Sequence, residues 1–199
     1  MGRKTIHNVD EKIMDEVIRE IFKYGIAMIS TKDVAHRIHI SEPVIFAHFK
    51  TKQNLIDQTF AYAWGKIPEE AIFPSPDIDI RDPKIYEAYV ARFNEILEYP
   101  KELVYGDAYY HSSYYHKDFA EKSMGGIVES LIPVFALYQT GRSEEQRRLM
   151  VVRYLENIIS DLAQIARGVV PKSNENLRIA IGSILFGTYG LLTEYKGLN

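Results

Sequence analysis

The chain has no cysteine, which excludes disulfide stapling, thiol redox sensing and Cys-ligated zinc. It also has no apolar run long enough to span a bilayer. The greasiest stretch, Ile179 to Leu192, is interrupted by Gly182, Ser183, Gly187, Thr188 and Gly190. The opening residues, Met1-Gly2-Arg3-Lys4-Thr5, lead into polar sequence without an apolar signal core. These absences predict a soluble, cytoplasmic protein without membrane contact. No nucleophile–base motif, phosphate-binding glycine loop or paired-carboxylate pattern occurs, so no enzyme and no cofactor is expected. Strand-like alternation and internal repeats are missing as well. With 46% hydrophobic residues over 199 positions, there is ample material for a core, and the expected fold class is all-α.

Positive charge is in short supply overall: the formal net charge is −3. Its distribution is uneven. Residues 1–55 hold nine Lys/Arg against seven Asp/Glu, and the remainder holds fifteen against twenty. Four of the six histidines, His7, His36, His39 and His48, also fall in the first part. The asymmetry is modest, but its sign suits a phosphate-facing head on a non-binding body.

The segment Ser30–Leu55, STKDVAHRIHISEPVIFAHFKTKQNL, is the most informative. Ser30 reads as a helix N-cap with Asp33 three residues on. Val34, Ala35 and Ile38 follow at helical spacing. His39 sits where the chain must turn, and histidine tolerates a left-handed backbone better than most residues. Ser41 caps a second, very short helix with Pro43 in its first turn. Ile45, Phe46 and Phe49 take core spacing, leaving Glu42, Val44, Ala47, His48 and Lys50 on the other face. This is the layout of a helix-turn-helix whose second helix can enter the DNA major groove.

The same residues resemble the tetracycline-repressor (TetR) family. The likeness runs from Gly25 through Ser30, Asp33-Val34-Ala35, Ile40-Ser41, His48-Phe49 and Lys52 to Leu55 without a gap. The family's usual L-Y-x-H-F-x-S-K-E-x-L becomes Ile45-Phe46-Ala47-His48-Phe49-Lys50-Thr51-Lys52-Gln53-Asn54-Leu55. Pro43 stands where glycine is usual and Val44 where threonine is usual. Phe46 replaces a tyrosine, so a hydroxyl expected on a DNA phosphate is absent. The resemblance implies a three-helix head (1–50) joined by the fourth helix to a larger ligand-binding and dimerisation body (51–199). The expected DNA contacts are Ser30, Thr31, Ser41, Glu42, Val44, Ala47, His48, Lys50 and Lys52. Glu42 reads either as helix-start stabilisation by its charge or as an acceptor for a cytosine amino group. His36 and His39 read as exposed polar residues flanking the turn.

Elsewhere, the first helix is expected from Val9 to Tyr24. Asn8 is its cap, Gly25 its stop, and Ile13, Met14, Val17, Ile18, Ile21 and Phe22 its buried stripe. The fourth helix should begin at Thr51 and end near Trp64-Gly65. Residues 66–83, with four prolines, read as a connector, and Asp82-Pro83 opens a fifth helix to about Tyr99. Pro100 opens a sixth, expected to break near Gly106 and Ser112-Ser113. Another runs from about Ala120 towards Tyr138. Ser143-Glu144-Glu145-Gln146 is a capping box opening a long helix, and Ser173 or Asn174 caps the last, expected to reach Lys196.

Tyr105, Tyr109, Tyr110, His111, Tyr114, Tyr115 and His116 are crowded together. Tyrosines offer flat apolar surface with a polar tip, as ligand pockets often do, and they are equally common as half-buried helix residues. On the pocket reading, Phe93, Tyr105, Tyr109, Tyr110 and Tyr114 are the candidate walls for a small, partly apolar effector. Asp107 and His111 lie one turn apart, but two ligands without a third make no metal site. Ala180, Ser183, Gly187 and Gly190 form a small-residue stripe on the last helix. Such a stripe packs either on the chain's own long helix or on a partner. The resemblance implies a four-helix homodimer interface there, with Leu155, Ile159 and Leu162 from the preceding helix.

The expected function is a ligand-responsive regulator, a repressor bound as a dimer to a palindromic double-stranded operator. The alternatives are an all-α small-molecule-binding protein or enzyme with an incidental helix-turn-helix, and a TetR-like DNA binder with a non-promoter role.

Overall fold

The computed structural model describes residues 3–68, 84–138 and 141–190. Most of the expected connector, the Asp82-Pro83 helix start, Thr140, and the end of the last helix at Lys196-Gly197 lie outside them. Every regular element among the described residues is helical. The helices are α1 Arg3–Tyr24, α2 Thr31–Arg37, α3 Glu42–Phe49, α4 Lys52–Trp64, α5 Lys84–Ile96, α6 Pro100–Tyr110, α7 Lys117–Ser123, α8 Gly125–Tyr138, α9 Glu144–Ala166 and α10 Asn174–Gly190, with a 3-10 turn at Ile26–Met28. Contacts divide the chain into two units. One is Met1–Lys66 with Lys101–Ser123; the other is Ile67–Pro100 with Met124–Asn199.

In the first unit, α1 packs on α2 and α4, and α2, α3 and α4 follow one another in contact. Ile13, Val17, Ile18 and Ile21 of α1 are buried, as their spacing predicts. Met14 is half-buried and Phe22 reaches the surface. The helix starts at Arg3, upstream of the expected Asn8 cap, because no proline or glycine in 3–8 stops it extending. Gly25 ends it: its N–H donates to Ile21 O at 2.9 Å and its φ of 83° is one that glycine adopts without strain. Ser30 Oγ accepts the Asp33 N–H at 3.2 Å, so the expected α2 cap forms, whereas Ser41, expected to cap α3, makes no side-chain capping bond. Thr51 Oγ1 accepts the Asn54 N–H at 3.0 Å at the start of α4. His39 takes a φ of 59°, as the turn requires.

Two further expectations fail in this unit. Phe46 is 38% exposed, because only Ile45 and Phe49 point inward from so short a helix. Gly106 does not break α6, since it is buried between buried neighbours, and packing outweighs the helix penalty of one glycine, about 1 kcal/mol.

In the second unit α8 packs on α9, α9 on α10, and α10 on α5. The capping box forms as expected: Gln146 N–H donates to Ser143 Oγ at 3.2 Å, and Ser143 N–H donates to Gln146 Oε1 at 2.9 Å. Ser173 is the side chain that caps α10, accepting the Asn176 N–H at 3.1 Å. The hydroxyls of Tyr89 and Tyr154 meet at 2.9 Å inside the core, where Phe135 packs edge-on to Tyr154. Asp161 of α9 borders a shallow apolar cleft with Ile165, Val170, Ile179 and Ala180. Burial pushes its carboxyl above the ordinary range. Above that raised value the ionised form is penalised in the folded protein; below the ordinary value the group is neutral folded or unfolded, and the penalty vanishes. Asp161→Asn is therefore expected to raise the melting temperature at pH 7, with the gain disappearing as pH falls below about 4. A gain that persists at low pH would assign it to something other than ionisation.

Candidate DNA-binding surface

Helix α3 turns Ile45 and Phe49 into the first unit. A helix advances 100° per residue, so the opposite face is centred on Ala47 and flanked by Pro43, Val44 and Lys50. Pro43, Ala47 and Lys50 are exposed and Val44 half-buried. Ser41, exposed at the start of α3, makes no side-chain capping bond and its hydroxyl is free for another partner. Beyond Phe49 the backbone turns sharply: Lys50 has φ 64° and ψ −50°, and Thr51 N–H donates to Phe49 O at 2.7 Å. This is a γ-turn, a strained conformation for any residue with a Cβ. Lys50 Nζ folds back to donate to Ala47 O at 2.7 Å.

The other polar residues of the expected contact set are held by the protein itself. Thr31 is 8% exposed and donates its hydroxyl to Glu42 Oε1 at 2.5 Å, locking the start of α2 to the start of α3. His48 Nδ1 lies 2.6 Å from Asp10 Oδ1, bracing α3 against α1. Lys52 Nζ donates to Ile29 O at 2.7 Å and lies 5.4 Å from the centre of the Tyr114 ring. Ser30 is occupied as the α2 cap. Thr31, Glu42 and His48 are thus each engaged within the protein and fasten α3 to its neighbours. Such engagement is invisible to helical periodicity, which shows the face a residue lies on but not its partner.

Behind α3, α4 carries a buried acid. Asp57 is 5% exposed, and its Oδ1 accepts Gln53 Nε2 at 2.9 Å and the Tyr109 hydroxyl at 2.7 Å. His116 Nδ1 lies 3.5 Å from the second oxygen. Tyr109 in turn accepts the His116 backbone N–H at 3.2 Å, Gln53 donates to Tyr114 O at 2.8 Å, and Tyr105 donates to Ile56 O at 2.7 Å. Burial, and then the bond to Asp57, push the Tyr109 phenol far above its ordinary range, so it stays a donor at every working pH. Near the other end of α4, Lys66 pairs with Asp15 at 2.6 Å and lies 3.6 Å from Glu102. Neither Asp57 nor Asp10 stands out from spacing alone. The one legible sign was an acid beside the buried stripe of Leu55, Ile56, Thr59 and Phe60, which requires internal partners.

Residues 13–59 match the family model of bacterial regulatory proteins of the tetR family. This stretch is the one that holds α2, α3 and the turn between them. It is a TetR-family helix-turn-helix domain. No curated protein matches the chain. Solved structures do. A protein of Shewanella sp. PV-4 described as a tetR family transcription regulator is 14% identical, with 88% of this chain and 95% of that one covered and a TM-score of 0.63. A TetR family transcription regulator from Marinobacter aquaeolei VT8 is 14% identical over 92% and 96%, with a TM-score of 0.60. A TetR variant from Acinetobacter baumannii AYE, solved with minocycline, is 12% identical over 92% and 97%, with a TM-score of 0.57. At these identities the likeness establishes the fold.

Around the TetR-family head, the expected effector walls sort differently. Tyr105 and Tyr109 are fully buried and bonded to α4 as described, which makes them struts of the first unit. Tyr109 stacks on Phe60 at 4.5 Å, and Tyr110 meets Phe60 and Tyr115 at 5.6 and 5.3 Å. Tyr110 and Tyr114 remain half-buried. Phe93 is buried in the second unit, edge-on to Tyr89. Of the expected dimer residues, Leu155, Ile159 and Leu162 are at most 2% exposed in a single chain. They belong to its own core, because α9 packs on both α8 and α10. Ser183 is exposed and Ala180 half-exposed; Gly187 and Gly190 lie further along α10, where only the backbone course is described. No helix among the described residues is long and apolar enough to cross a membrane.

Proposed function

We propose that the chain is a DNA-binding transcriptional regulator without enzymatic activity. It acts as a repressor that holds a palindromic operator as a two-fold dimer and is released by a small, partly apolar effector. The observation that carries this reading is α3: a short helix fastened to α1, α2 and α4, with its outer face left at the surface. A helix so held can enter a major groove as a rigid body. Residues 1–50 make the contact, through Ser41, Val44, Ala47 and Lys50, with Ser30 and Lys52 beside them, and residues 51–199 carry dimerisation and regulation. One chain presents one reading helix, so an operator read with useful specificity needs two copies. The outer side of α10, with Ile179 62% exposed beside Ala180 and Ser183 and continuing to Gly187 and Gly190, is the face offered to the partner. The effector acts through Tyr110, Tyr114 and the segment bonded to α4, since whatever shifts that segment shifts the support of the reading helix. Ligand and DNA then oppose each other by one coupling energy.

Selection from a randomised double-stranded DNA library tests the reading. The expected product is an inverted repeat with half-sites about one helical turn apart. Affinity for it should fall with salt, and Lys50→Ala should flatten the log–log salt slope by roughly 0.9 per subunit without changing the preferred sequence. A selection that returns no enriched sequence, or a chain that ignores salt, would overturn it.

A further inference from the structure

The reading face of α3 is short of hydrogen-bonding groups. Pro43, Val44 and Ala47 occupy it, and all three side chains are hydrocarbon. Glu42 and His48, whose side chains could read base edges, are held by Thr31 at 2.5 Å and Asp10 at 2.6 Å. Lys50 bends back onto Ala47 O. Phe46, 38% exposed, adds more apolar surface at the rim. Ser41 alone brings a free hydroxyl.

In the major groove, base pairs differ in their donors and acceptors and in one apolar group, the C5-methyl of thymine. A face without free amides or guanidinium groups cannot make the bidentate bonds that select guanine or adenine. What it can do is exclude water from methyl groups. Resting on the DNA-binding reading above, we propose that α3 specifies its half-site mainly through thymine methyls, with Val44 and Ala47 as the specificity-determining residues and Pro43 shaping the approach. The operator class that follows is a half-site with thymines clustered under α3. Bonds to phosphate, from Lys50 and Lys52, fix register without adding sequence information.

The test uses the full chain and the duplex selected from the random library. The duplex is resynthesised with deoxyuridine in place of thymidine at single half-site positions, which removes the methyl and leaves every hydrogen bond of the base pair. Each methyl under α3 should cost about three- to fivefold in affinity when removed. Thymidine positions outside the half-site should cost nothing. 5-Bromodeoxyuridine, whose bromine fills the space of the methyl, should restore binding. Val44→Ala should abolish the uracil penalty at one position only, and Val44→Ile should keep it; Val44 is half-exposed, so both variants leave the core intact. Selected DNA that is bound equally with thymine or uracil throughout the half-site would overturn this inference and leave the DNA-binding reading standing. Failure to select any sequence would overturn both.

Discussion

Asp57→Ala is expected to lower the unfolding free energy by about 3 kcal/mol, the largest effect of any single polar change in the first unit. The carboxylate accepts from Gln53 and Tyr109, and hydrogen bonds to a charged acceptor are worth about 1.5–3 kcal/mol each. Gln53 is exposed and can turn to water. The Tyr109 ring cannot turn away, being stacked on Phe60 at 4.5 Å and fully buried, so its hydroxyl would be left without an acceptor. Tyr109→Phe should cost less, about 2 kcal/mol, because the acid keeps Gln53 and His116. The double variant should cost clearly less than the two singles combined, since both remove one bond. Urea unfolding of the three variants checks this. Additive losses would mean that Asp57 and Tyr109 act independently.

Lys50→Gly should do the reverse and raise stability by about 1 kcal/mol. A non-glycine residue in a γ-turn of positive φ stores about 1–3 kcal/mol of strain, against which glycine loses about 0.5–1 kcal/mol more backbone entropy on folding. Lys50→Ala keeps the Cβ and with it the strain, so its stability should match that of the wild type. Both variants lose the ammonium group and should bind DNA more weakly to the same degree. Thermal unfolding beside a DNA titration separates the two roles. If glycine and alanine have equal melting temperatures, the turn carries no strain. If glycine is the more stable but binds as the wild type does, Lys50 is no DNA contact.

Much of the head was legible because its signals are local. Ser30 and Ser143 each stand before a helical pattern with their cap partner three residues on, and the Ser–Gln box at 143–146 satisfies donors through bonds that span only one turn. His39 was legible as the residue that turns the chain. Lys50 was not, since lysine has no preference for positive φ and the conformation is imposed by burying Phe49 just before capping α4 with Thr51. The links of Asp57 to Tyr109 and Asp10 to His48 were illegible for another reason: they join residues distant in sequence, and periodicity reports only that a face is covered. Leu155, Ile159 and Leu162 came forward as interface residues through the resemblance, and in the single chain they are at most 2% exposed. Apolar spacing on α9 looks identical whether the neighbour is α8, α10 or another molecule.

The first unit is discontinuous in the chain, and this sets the order in which it can mature during synthesis. A nascent chain emerged only as far as Lys66 already holds α1 to α4, reading helix included, but Asp57 then has Gln53 and water for partners. Tyr105 and Tyr109 arrive only after residues 67–100 have been made. A contact that must wait for distant chain forms late and closes a long loop when it does. The support of α4 is thus completed only after the first helix of the second unit, α5, has left the ribosome. A translation product that stops short of Tyr105 carries the whole helix-turn-helix yet lacks the tethers behind it. Premature termination before that point therefore yields fragments in which α4, the support of α3, lacks its bonds from Tyr105 and Tyr109.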